Sequence, residues 1–293
     1  SDYEEYRNTH IRREEQAGIV FDFSVEKAKR WASAINIPDG LYNDEEKDLF
    51  FRLAMRGFEP IVPNYWRHDF PTLPESLYPR NEEGHEKPLI DVTKSSDIYA
   101  TRALANLFAT GGHVRDTSIM HTRPEPLIKQ AINHYIKWAF YDSDLNPSKT
   151  ALPVHVIYDQ KKHETTLQAL RAIKKRLRKL VNQHSDALRI TSARNTPAES
   201  EELKYPLLIG IIICGPIFAI VTHTTDPEEG ADNEDGRFIS QFDLSERGQD
   251  VWNSFAIAIA VMHIRRTMLW LAKEGRCGYS MQVEREVVDD VDL

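Results

Sequence analysis

The stretch V154-H-V-I-Y-D-Q-K-K-H-E-T-T-L-Q-A-L-R-A-I-K-K-R-L-R-K-L180 decides the fold. Its first six residues are rich in β-branched and aromatic types, which reads as a short strand. From Glu164 to His184 the spacing changes to the helical period, with Leu167, Leu170, Leu177, Leu180 and Val181 predicted to face inward. Residues 191–204 then form a polar loop, followed by L207-L-I-G-I-I-I-C-G-P-I-F-A-I-V-T-H223. Two apolar runs flank Cys214-Gly215-Pro216 there, which reads as a hairpin with a tight turn. Unbroken apolar runs imply burial on both faces, so the hairpin belongs in the middle of a sheet with helices over it. Strand, long helix and buried hairpin make a mixed α/β (α+β) fold.

Working outward, Thr122 and Pro124 open an amphipathic helix, P124-E-P-L-I-K-Q-A-I-N-H-Y-I-K-W-A-F140. Ile128, Ile132, Tyr135, Ile136 and Ala139 share one face, with Lys129, Asn133 and Lys137 opposite. After the hairpin come an acidic loop at 226–236, then R237-F-I-S-Q-F-D-L244 with Phe238, Phe242 and Leu244 alternating. The last helix runs from about Asp250 to Lys273. Its most apolar part, Val251 to Ile264, is shorter than the roughly 20 residues a bilayer needs and reads as a core helix. The N-terminal part reads as a helical extension packed on this core, so that 1–120 and 121–293 are the natural divisions. Ser24 caps a helix through Ile35, and Asn43 or Asp44 starts another whose Phe50, Leu53 and Ala54 face inward and whose Gly57 suits a C′ position. Prolines 60, 63, 71, 74 and 79 forbid regular structure next, and Tyr65, Trp66 and Phe70 make that segment an ordered strap. Residues 81–87 are loop-like. Ser96 caps a helix that the glycine pair 111–112 ends. The five tryptophans read as core anchors.

The chain has 293 residues, 41% of them hydrophobic and 28% charged, enough for a real core. A net charge of −8 argues against a protein that coats nucleic acid over its whole surface, though not against a local basic groove. Two cysteines, Cys214 and Cys277, supply no disulfide framework, and the first ten residues have no apolar stretch. Both point to an intracellular setting, nucleus or cytoplasm, with no membrane association. No phosphate-cradling glycine motif, nucleophile elbow or zinc-ligand spacing occurs, and no cofactor is indicated by them. Cys214 reads as structural, and His263 as a core histidine.

The strand ends in Asp159-Gln160-Lys161 and a helix follows at once. Helix, strand with D-Q-K, helix and hairpin, over roughly residues 120–270, resemble the restriction-endonuclease-like, or PD-(D/E)XK, superfamily. The whole chain resembles a filamentous-fungal protein family that bears such a domain. The resemblance implies a restriction-endonuclease-like core in which an acid binds Mg²⁺ and a lysine polarises the attacking water. On this chain those roles fall to Asp159 and Lys161, with Glu125 as the acid of the first helix. Asp142 or Asp144 would stand for the second strand acid, so that Asp159 and Asp142 hold the metal. Only Tyr141 to Leu152 separates the first helix from the D-Q-K strand, leaving little room for the strand that carries that second acid.

The helix after the strand carries Arg171, Lys174, Lys175, Arg176, Arg178 and Lys179, preceded by Lys161 and Lys162. Glu164 is the one acid between Lys161 and Lys179. Such a stripe can contact phosphates, or can pair with the chain's own acidic loop at 226–236 or its acidic last ten residues. Three readings follow. The first is a non-enzymatic nuclease-like domain, a pseudonuclease, that engages a macromolecule: nucleic acid through Lys161, Lys162, Arg171, Lys174, Lys175, Arg178 and Lys179, or a protein. The second is an active Mg²⁺-dependent nuclease, and the third a structural protein-interaction subunit.

Overall fold

A computed structural model describes residues 41–80, 87–145, 147–194, 205–227 and 236–281. Six helices and four strands occur among them: α1 Asp44–Ala54, α2 Asp97–Phe108, α3 Thr110–Ile119, α4 Pro124–Asp142, β1 His155–Asp159, α5 Thr166–Arg194, β2 Leu207–Cys214, β3 Ile217–Thr224, β4 Arg237–Asp243 and α6 Asp250–Lys273. The expected helix at Ser24–Ile35, Trp31, and most of the acidic loop and acidic tail lie outside the described residues.

The sheet has the order β1-β2-β3-β4. β1 runs parallel to β2 (Val156 opposite Gly210), with α5 as the connection, while β2–β3 and β3–β4 are antiparallel. The hairpin is therefore central, as its apolar runs require. Cys214 pairs with Ile217 across a two-residue turn, and Gly215 (φ +58) supplies the positive φ that a type II′ turn needs at its first central position. β2 is buried at every residue but Cys214, so both of its faces are covered. α5 lies on one face: a Cβ at Gly210 would fall 2.7 Å from Leu177 Cδ1 and 3.1 Å from Ile173 Cδ1. α4 and α6 pack on the sheet and on each other, α2 and α3 pack on them in turn, and α1 bridges α6 and β4. One cluster of buried side chains runs from Leu49 to Tyr279, so the extension and the α/β part share a core.

Local details depart from the sequence expectations for identifiable reasons. The glycine pair does not end a helix: α2 gives way at Ala109 to α3, which runs through Gly111 and Gly112. Gly111 serves a close approach instead, since a Cβ there would sit 1.9 Å from Asp250 Oδ1. α1 is capped by Asn43 in a capping box with Glu46, but it ends at Met55 and buries Leu49 and Leu53, while Ala54 is exposed and Gly57 is not its C′ residue. α4 starts from Arg123 rather than Thr122, with Pro124 at the first helical position. α5 is longer than predicted and is capped by Thr165, whose Oγ1 accepts from Gln168 N (3.2 Å) while Gln168 Oε1 accepts from Thr165 N (2.8 Å). That start leaves Leu167 in the exposed first turn (56%) and gives the core Ala169, Ile173, Leu177 and Leu180.

In β4 the Phe238/Phe242/Leu244 alternation fails because a bulge opposite Ile220/Val221 inserts one residue; Ile239 turns inward and Phe238 is 53% exposed. The strap is ordered by two 3₁₀ turns, Asn64–Arg67 and Glu75–Leu77, around a fully buried Trp66, though Tyr65 is exposed. Trp138 is also fully buried, whereas Trp252 and Trp270 are half-buried. α6, at 24 residues, is long and apolar enough by length and composition to cross a membrane, contrary to the reading of its apolar part as too short. In this fold 83% of its most apolar window is buried against the other elements.

Candidate functional site

Asp159 ends β1, and the carboxyl ends of β1 and β2 meet the N-terminal turns of α4, a position where α/β folds commonly place sites. Pro124 fixes where α4 begins, so Glu125 and Lys129, one turn apart, lie on the same side. Asp159 is nearly buried, and both of its oxygens are taken. Lys129 Nζ donates to Oδ1 at 2.7 Å and Lys161 Nζ to Oδ2 at 2.8 Å. Burial alone would raise this carboxyl, but the two ammonium groups outweigh it and hold Asp159 below the usual aspartate range.

Beside this pair, Glu125 Oε1 meets Arg123 (3.1 Å) and accepts from Gly215 N at the hairpin turn (3.3 Å), while its buried Oε2 has no hydrogen-bond partner. Arg123 also donates to the Gln160 carbonyl. The loop from β1 to α5 is tied by Glu164, which accepts from Tyr158 Oη (2.8 Å) and Lys161 N (2.7 Å), with His163 left-handed (φ +66) between them. Cys214 adjoins the cluster; burial, and then the charges of Glu125 and Glu164, push its thiol up, which suits a structural role.

The structure thus brings Asp159, Lys161 and Glu125 into one neighbourhood and leaves Asp142 and Asp144 out of it. Lys129 and Asp142 are thirteen residues apart on one helix, about 20 Å at 1.5 Å per residue. Asp142 is fully buried and accepts from Thr93 N (3.0 Å), Lys94 N (3.1 Å) and Ser95 N (2.8 Å), with Arg265 at 2.8 Å. Burial pushes its carboxyl up, but the bonds from Ser95, Thr93 and Lys94 prevail and keep it low. Asp144, left-handed at φ +53, pairs with Lys94. Neither lies beside Asp159, because among the described residues the segment between α4 and β1 contributes no strand that would carry one of them back. The Mg²⁺ implied by the family resemblance does not fit the donor set: an ammonium group occupies each oxygen of Asp159, and the second acid is elsewhere. Among the described residues no cluster of three or more His, Cys, Asp or Glu side chains could hold a metal.

The basic stripe lies on α5. At 100° per residue Lys174, Arg178, Arg171, Lys175 and Lys179 fall within an arc of about 140°. That arc points away from Ala169, Ile173, Leu177 and Leu180, which are buried. Arg171, Lys175, Arg178 and Lys179 are exposed and Lys174 half-exposed. Two of the cations turn elsewhere. Arg176 flanks the buried side and stacks on Tyr158 (4.8 Å to the ring centroid), and Lys161 is held by Asp159. Lys162, at the head of the stripe, is exposed.

Sequence reasoning missed Lys129, placing it on the solvent side of α4, and missed Arg123 altogether. The i, i+4 spacing of Glu125 and Lys129 just after Pro124 was the available signal; which strand end they would face was not encoded locally. No family model, curated protein or solved structure matches the chain.

Proposed function

We propose that this protein is a non-enzymatic binding domain of restriction-endonuclease-like ancestry that engages the phosphate backbone of a nucleic acid duplex along α5. The observation that carries the reading is the outward arc of Arg171, Lys174, Lys175, Arg178 and Lys179 on a chain whose net charge is −8. A local concentration of cations on an acidic protein is poorly explained by solubility and well suited to a polyanion. No aromatic side chain interleaves with these cations on the helix, which favours backbone contacts over base stacking. The order α4, β1 with D-Q-K, α5 and a parallel β2 supports the ancestry, and the lysine-filled Asp159 supports the loss of catalysis.

A gel-shift titration with a mixed-sequence duplex tests this. Binding at low salt is expected, with a loss of at least about tenfold in the Arg171→Glu/Lys175→Glu/Lys179→Glu variant, since each phosphate contact is salt-sensitive and additive in charge. No binding by the parent chain, or unchanged binding by that variant, overturns the proposal. Mg²⁺-dependent cutting of the duplex that Asp159→Asn abolishes would replace it with the nuclease reading.

A further inference from the structure

A second feature lies on the far side of α4 from the sheet. Antiparallel helices α2 and α4 leave a cleft of about 430 Å³, within the range of small-molecule sites. α2 contributes Tyr99, Arg102, Ala103, Asn106 and Leu107 in helical spacing, α3 contributes Thr110 and His113, and α4 contributes Leu127, Gln130, Ala131, His134 and Lys137. Ala103 and Ala131 line it with small side chains, so neither fills the space between the helices. Its floor is apolar, including Leu107, which is buried. The Tyr99–Tyr141 ring contact (5.7 Å) sets one end, where Lys137 stands; the other end is closed by Thr110, His113 and Leu127. Ten residues of α4 separate Leu127 from Lys137, so the cleft is about 15 Å long.

Its electrostatics are one-sided. Among the described residues, the side chains that line it include Arg102, Lys137, His113 and His134, and no aspartate or glutamate. On a chain with 45 acidic residues against 37 lysines and arginines, an acid-free cleft with two fixed cations is a departure that packing does not require. An apolar floor with cations on the rim matches one chemistry: a small organic anion, with an apolar body and a carboxylate, sulfonate or phosphate head. We infer that the α2–α4 cleft binds such an amphipathic organic anion, with Ala103, Leu107, Leu127 and Ala131 against its body and Arg102 and Lys137 at its head.

The test is calorimetric titration of the full chain with 2-naphthalenesulfonate, and in parallel with the neutral 2-naphthalenemethanol. The sulfonate is expected to bind one-to-one and about tenfold or more tighter than the alcohol, and Arg102→Glu/Lys137→Glu should erase that preference while leaving alcohol binding in place. Ala131→Trp, which fills the cleft from its half-buried floor, should remove both; its helical circular dichroism and melting curve establish that it is folded. Lys175→Glu/Lys179→Glu on α5 should change nothing, which separates this cleft from the phosphate-binding stripe. Equal binding of the two probes, sulfonate binding that survives Ala131→Trp, or no binding at millimolar probe would overturn the inference.

Discussion

Three acids that look alike in the sequence have three different fates. Asp142 closes a buried ion pair with Arg265 and holds the backbone of residues 93–95, so it joins α4, α6 and the segment before α2. Asp142→Ala strands the Arg265 charge and should cost about 3–5 kcal/mol in urea unfolding. Asp144→Ala removes a partly exposed pair with Lys94 and should cost at most about 1 kcal/mol. Similar losses for the two would contradict the assignment of Asp142 to the framework. Asp159 is the third. Its folded-state carboxyl titrates below the ordinary range, so its contribution is present above the unfolded aspartate range and is lost as pH falls through the lowered value. Lys129→Met removes one of the two ammonium groups and should move that acid loss to higher pH, read as the unfolding midpoint against pH. Histidine adds a separate window. Burial lowers His155 to about 4, so the unfolded chain binds more protons between about 6.5 and 4 and stability falls there as pH falls. His155→Phe should flatten that part of the curve, and an unchanged slope would remove His155 from the account.

At the scale of elements, the sheet–helix contacts rest on small residues whose roles differ. Gly210 faces α5, where a Cβ would also come within 2.7 Å of Val221 Cγ2, so Gly210→Ala overpacks the interface and should cost about 1–3 kcal/mol. Gly215 meets nothing within 4 Å but needs its positive φ, so Gly215→Ala should cost about 1–2 kcal/mol by strain alone. Thermal melts of Gly210→Ala combined with Val221→Ala separate the two mechanisms, because trimming Val221 removes the stiffest 2.7 Å contact and leaves the turn untouched. These elements also show how far the sequence was readable. The strand 154–159, the central hairpin, α4 and α6 all follow from period and composition. The β4 bulge, the passage of α3 through Gly111–Gly112 and the exposed Leu167 do not. Each depends on a partner distant in the chain: Ile220/Val221 for the bulge, Asp250 for Gly111, and for Leu167 the height at which α5 meets the sheet. The candidate site divides likewise: Asp159, Lys161 and the α5 stripe were visible as local patterns. The departure of Asp142 and the arrival of Lys129 came only with the length and direction of α4.

Over the whole molecule, the central sheet separates two surfaces of different chemistry. On one side α5 turns its cations outward; beyond the other, α2 and α4 enclose the acid-free cleft. The core runs without interruption from α1 to the segment after α6, so these surfaces are carried on a single body and neither is a separable module. We propose that α5 binds a phosphate backbone and that Asp159, held by Lys129 and Lys161, serves no catalytic role. This proposal is tested most directly by fluorescence anisotropy with a labelled duplex in Mg²⁺-containing buffer over a range of salt. With about four to five phosphates engaged, the slope of log K against log salt should be about −4, the duplex should stay intact, and Arg171→Glu/Lys175→Glu/Lys179→Glu should bring the slope close to zero. A slope unaffected by those substitutions, or cleavage of the bound duplex, would contradict it.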